Sequence, residues 1–114
     1  MGYYTNYSLE VRGKDSTKEI SYNEMEAIEE RFNDLTGYDF STMLEYGEEG
    51  KWYHHDKDMI QLSKEFPQYL FILEGAGEER NDWWINTYWN GQMGESTAKI
   101  IEPEIVLPKG FMEG

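Results

Sequence analysis

Cysteine is absent from this chain of 114 residues, so it has neither a disulfide framework nor a thiolate metal site. Histidine is scarce: two residues, adjacent at His54 and His55, would leave any zinc site dependent on carboxylates for its remaining ligands. No apolar run approaches the length of a membrane span. The opening MGYYTNYSLEV has neither the basic region nor the apolar stretch of a secretory signal. Tyr3, Tyr4 and Thr5 after Gly2 argue against myristoylation. Basic side chains are also few, 10 Lys and Arg against 23 Asp and Glu, for a formal charge of −13. That balance excludes ordinary nucleic-acid binding, which needs Lys and Arg on phosphates. The expectation is a soluble cytoplasmic protein whose surface attracts basic partners and repels its own kind.

Aromatic residues are plentiful, at 16% of the chain with Trp 4, Tyr 9 and Phe 5. Each buries a large area, so a modest core is available despite the charge, and disorder is not expected. Tyr3 to Arg12 alternates with a period of two, which predicts a half-buried strand, and Gly13–Thr17 a turn. Ser21 and Glu24 have capping-box spacing. Tyr22, Met25, Ile28, Phe32 and Leu35 follow at helical spacing, and Gly37 stops an acidic amphipathic helix over Tyr22–Thr36.

Thr42–Tyr46 is expected as a short strand, Gly47–Gly50 as a turn and Lys51–Tyr53 as the returning partner. Asp56 is the expected N-cap of a second helix burying Met59, Ile60, Leu62 and Phe66 and ending before Pro67. Tyr69–Glu74 predicts a central strand, Gly75–Asp82 a charged loop, and Trp83–Trp89 a strand. Asn90-Gly91 is a strong hairpin signal, with Gln92–Ile101 as the returning strand. This order predicts an α+β fold: an antiparallel sheet with two helices on one face, ferredoxin-like (βαββαβ) with an extra C-terminal hairpin strand. Residues 1–102 are expected to form a single domain, with 103–114 an irregular tail laid across the sheet.

Trp52-Tyr53-His54-His55, Asp58-Met59, Ser63, Phe66-Pro67, Leu70-Phe71, Gly75-x-Gly77-Glu78-Glu79, Asp82-Trp83 and Asn90-Gly91 together carry a resemblance. The stretch 51–92 resembles a group of small, uncharacterised acidic proteins of phages and integrated mobile elements of bacteria, especially Gram-positive ones. It is distantly similar to YubB-type ferredoxin-like domains. The resemblance implies a fold and a genomic habitat. Small acidic proteins of that habitat are similar in character to anti-defence proteins, including anti-CRISPR inhibitors that cover a nucleic-acid channel.

The carboxylates are the first candidate site. Glu45, Glu48, Glu49, Asp56 and Asp58 in the middle of the chain, Glu74, Glu78, Glu79 and Asp82 in the charged loop, and Glu26, Glu29 and Glu30 on the first helix could stand where a partner's Lys and Arg expect phosphates. A solvated, solubilising surface is the bland alternative. Trp84 and Tyr88 share one face of the hairpin with Met93, while Trp83, Ile85, Thr87 and Trp89 occupy the other. Exposed, Trp84 and Tyr88 would anchor a partner; otherwise the tail (Ile105, Val106, Leu107, Phe111) or a homodimer covers the second face.

His54 and His55 beside Asp56 and Asp58 invite a metal or acid–base reading, but neighbours in a strand point apart. The GAGEERND loop lacks the Gly-Lys-Ser/Thr ending of a phosphate loop, and its acids repel phosphate. No serine sits in a nucleophile motif. The expected function is therefore non-enzymatic, without cofactor or metal. It is a phage or mobile-element protein that binds and inhibits a basic host defence protein such as a CRISPR effector nuclease, without touching nucleic acid or membrane. The alternatives are a structural or regulatory homodimer and a small-ligand binder at His54–Asp56.

Overall fold

The computed structural model describes residues 5–13, 21–77, 83–95, 105–108 and 110–111. Its elements are β1 (Thr5–Gly13), α1 (Tyr22–Thr36), α2 (Phe40–Glu45), β2 (Glu48–Gly50), α3 (His55–Glu65), β3 (Tyr69–Ala76), β4 (Trp83–Trp89) and β5 (Gln92–Glu95). The strands form one sheet in the order β2-β1-β3-β4-β5, and every neighbouring pair is antiparallel. The fold is α+β, consistent with a ferredoxin-like arrangement carrying an extra strand.

The alternation of β1 decides its two faces. Tyr7 and Leu9 join the core beneath the helices, while Glu10 and Arg12 project to the other side and pair with each other. Continuous apolar character in β3 means burial on both faces. Phe71 and Leu73 pack under Ile28 and Phe32 of α1, Met43 of α2 and Met59 and Leu62 of α3. Leu70 and Ile72 form a second cluster with Ile85, covered by Leu107 and Phe111 of the tail and by Trp89. The described part of the tail therefore lies on the apolar β3–β4 region of the face away from the helices. Thr87 Oγ1 donates to Val106 O at 2.5 Å, fixing the tail where Gly94 leaves room for it.

Helix α1 begins at the expected Ser21 N-cap. The Glu24 amide donates to Ser21 Oγ at 3.2 Å, and Gly37 closes the helix in the left-handed conformation. Asn90 and Gly91, both at positive φ (49° and 80°), turn β4 into β5, and the Tyr88–Met93 and Asn86–Glu95 pairs follow.

The middle of the chain departs from expectation. Thr42–Tyr46 is not a strand, since Phe40–Glu45 is helical and Tyr46 follows it. Phe40 and Met43, three residues apart, both reach the core, and the Phe40 ring meets Phe32 edge-on at 5.4 Å. Asn33 Oδ1 accepts the Phe40 amide and Asp39 accepts the Thr42 hydroxyl, which fixes the helix entrance. The anticipated turn is itself the strand: Glu48–Gly50 pairs with Thr5–Tyr7, and Lys51–Tyr53 lies outside any strand and leads on to α3. A single β2 thus replaces the expected pair.

Asp56 is not the N-cap of α3. His54 holds that position without a side-chain cap bond, and Asp56 lies in the first turn. The two histidines accordingly diverge at a helix start rather than along a strand. Of the long returning strand, Gln92–Glu95 is observed; residues 96–101 lie outside the described ones.

Candidate interaction surface

Negative charge is unevenly distributed along the chain. Residues 21–50, which form α1, α2 and β2, carry nine carboxylates and one arginine. That arginine is engaged: Arg31 Nε donates to Glu65 Oε1 of α3 at 2.6 Å, and this bond holds the Glu65 carboxyl below its usual range. Glu24, Glu26, Glu30, Asp34, Asp39, Glu45 and Glu49 are exposed, and Glu29 is half-buried. Glu26, Glu30 and Asp34 stand four residues apart, a row with steps of about 6 Å along the axis.

Helix stability does not account for that row. Like charges at this spacing cost about 0.2–0.5 kcal/mol per pair. Asp34 approaches the negative end of the α1 dipole, and the last turn holds no basic residue to offset it. Between α1 and α2 lies a groove of about 260 Å³ lined by Tyr22, Met25, Glu26, Glu29, Phe40, Ser41 and Leu44. Tyr22 stands at one end, 81% exposed, and Tyr46, 82% exposed, follows α2.

The other expected site residues divide. Glu45 and Glu49 are open to solvent, whereas Glu48 faces the Tyr7 side of the sheet, with Oε2 buried and no hydrogen-bond partner. Glu78, Glu79 and Asp82 lie outside the described residues. Asp58 accepts Trp52 Nε1 at 2.8 Å, which ties the first turn of α3 to the core.

Tyr88 is no surface anchor. It is fully buried, with its hydroxyl donating to Asp56 Oδ1 at 2.5 Å and Asn86 Nδ2 donating to the same oxygen at 3.2 Å. Burial, followed by that bond and the Asp56 charge, pushes the Tyr88 phenol far above its ordinary range. Trp84 is half-buried, stacked on His55 with ring centroids 4.8 Å apart, and so is only partly available to a partner. On the opposite face, Trp83 donates to Glu74 and Trp89 Nε1 donates to Pro67 O at 2.8 Å. Neither face of the described hairpin presents an open aromatic cluster.

Contacts of this kind account for part of the motif that suggested a resemblance. Asp58 holds Trp52, Ser63 Oγ accepts the Gly91 amide at 2.9 Å, and Pro67 holds Trp89. A Cβ on Gly75 would fall 2.2 Å from the Trp84 ring. These particular residues are fastenings of the fold.

His55 Nδ1 donates to Trp52 O at 3.0 Å, since a carbonyl can only accept, and Nε2 lies 3.4 Å from Asp56 Oδ1. Among the described residues no group of three or more His, Asp or Glu converges on a metal position, and no helix is long and apolar enough to cross a membrane. A shallow cleft of about 390 Å³ beside α3, with Tyr38, Trp52 and Tyr53 in its lining, also holds Lys51, Lys57 and Asp58. Comparison of the chain with protein-family models, curated proteins and solved structures gave no significant match. The surface stands on its own chemistry.

Proposed function

We propose that this chain is a non-enzymatic phage or mobile-element protein that binds and inhibits a cationic host protein handling nucleic acid, such as a CRISPR effector or another defence nuclease in the bacterial cytoplasm. It does so by offering carboxylates where that protein takes phosphates. The observation that carries this reading is the row Glu26, Glu30, Asp34 on α1, with Glu45 of α2 and Glu49 of β2 also exposed. Residues 21–50 hold one basic side chain against nine carboxylates, and the α1 row repels itself at its i, i+4 spacing. A row of exposed like charges that repel one another suits encounter with something of opposite sign. The resemblance of residues 51–92 to phage and mobile-element proteins supplies the habitat.

The test is binding to purified candidate nucleases across salt from about 0.05 to about 0.5 M, where screening shortens the reach of exposed charges several-fold. The affinity should fall steeply. Simultaneous Glu26→Lys, Glu30→Lys, Asp34→Lys and Glu45→Lys substitution should abolish it, while Glu10→Lys and Glu95→Lys should leave most of it. A nuclease bound with equal strength at both salt extremes, or by the reversed variant, removes the electrostatic reading.

A further inference from the structure

The acidic face contains an apolar seat. Met25 of α1 and Phe40 and Leu44 of α2 contribute apolar side chains to the groove, Glu26 and Glu29 stand on its α1 side, and Tyr22 rises exposed at its end. Ser41 Oγ donates to Glu29 Oε2 at 2.6 Å, which holds that carboxylate across the groove instead of leaving it free to swing. Phe40 is already buried beneath, so the floor is fixed before anything binds. About 260 Å³ accommodates one large side chain, far less than a whole helix.

We infer that the α1–α2 groove docks a cationic amphipathic helix of the partner, one large apolar side chain entering over Met25, Phe40 and Leu44 while Lys or Arg a turn away meets Glu26 and Glu29. This deepens the function proposed above and rests on it. Charge complementarity selects the occupant. A neutral or acidic segment would bring nothing to the carboxylates of residues 21–50, whose one arginine is bound to Glu65. An apolar anchor between charged contacts is also how helices are held in grooves. The anchor gives position, and the charges give attraction.

The probes are a labelled amphipathic Lys/Leu peptide and a Lys/Ser peptide of equal charge and length, titrated by fluorescence anisotropy, with methyl shifts of Met25 and Leu44 followed by NMR. The Lys/Leu peptide should bind at least about tenfold more tightly than the Lys/Ser peptide. Tyr22→Ala and Leu44→Ser should remove that advantage without changing the weaker Lys/Ser binding. Tyr22 is exposed, so its variant keeps the fold even if Leu44→Ser does not. Equal affinity for the two peptides, or a Lys/Leu advantage that survives Tyr22→Ala with unmoved Met25 and Leu44 methyls, overturns the seat and leaves the charged surface standing. Absence of binding by either peptide at low salt overturns the seat and the electrostatic reading together.

Discussion

Replacing Tyr88 by Phe removes one hydroxyl from the interior and keeps the ring. At neutral pH that hydroxyl donates to the Asp56 carboxylate at 2.5 Å. A hydrogen bond to a charged acceptor contributes about 1.5–3 kcal/mol. The Asp56 side chain is 40% exposed and retains Asn86, so water recovers part of the loss in the variant. The net cost of Tyr88→Phe should be about 1–2 kcal/mol.

The pH dependence separates this bond from simple packing. The folded-state pKa of Tyr88 is raised, chiefly by burial, so its contribution is fully present below the unfolded value near 10 and is lost as pH rises toward the folded value. In that window the unfolded chain releases the proton and the native chain keeps it. Wild-type stability then falls by about 1.4 kcal/mol per pH unit from this group. The Phe variant has no such proton. Tyr7, whose phenol is likewise raised by burial, occurs in both proteins and cancels in the difference. Urea unfolding of both proteins from about pH 8 to about pH 11 should show a constant gap that closes above about pH 10. A gap that stays level to the alkaline end refutes the buried phenol–carboxylate pair.

Gly75→Ala should cost about 1–3 kcal/mol in urea unfolding, because the added methyl meets a Trp84 ring already stacked on His55. Combining it with Trp84→Leu should recover part of that loss; an unchanged midpoint in the single variant refutes the close contact. Phe111→Ala should lower stability by about 1–2 kcal/mol, less than a fully buried Phe, and red-shift tryptophan emission as Trp89 loses its edge-on partner at 5.7 Å. An unchanged spectrum would detach the tail from the sheet.

Local chemistry made several elements legible before any fold was known. Ser21 Oγ accepts the Glu24 amide within one turn, and Asn90-Gly91 supplies the two positive φ angles a tight hairpin demands. Period-two alternation in β1 and the continuous apolar run of β3 need only their own residues to declare one-sided and two-sided burial. The middle segment was misleading because Thr42, Met43 and Leu44 suit a strand, and only the pocket under Phe32 that receives Phe40 and Met43 selects the helix. Asp56 has the chemistry of a cap, yet β4 brings Tyr88 and Asn86 to its carboxylate from about thirty residues away.

The sequence by itself therefore determined the α+β class, the elements governed by neighbours a few residues apart, and the excess of negative charge. Tertiary structure alone decided which acids remain at the surface: it turned Asp56 and Asp58 to internal donors and tied Arg31 to α3. It also buried Tyr88 and set α1 beside α2 to make the groove. The physical reason is reach. Caps, turns and alternation act through adjacent backbone, whereas burial and ion pairing depend on partners that only the folded chain brings together.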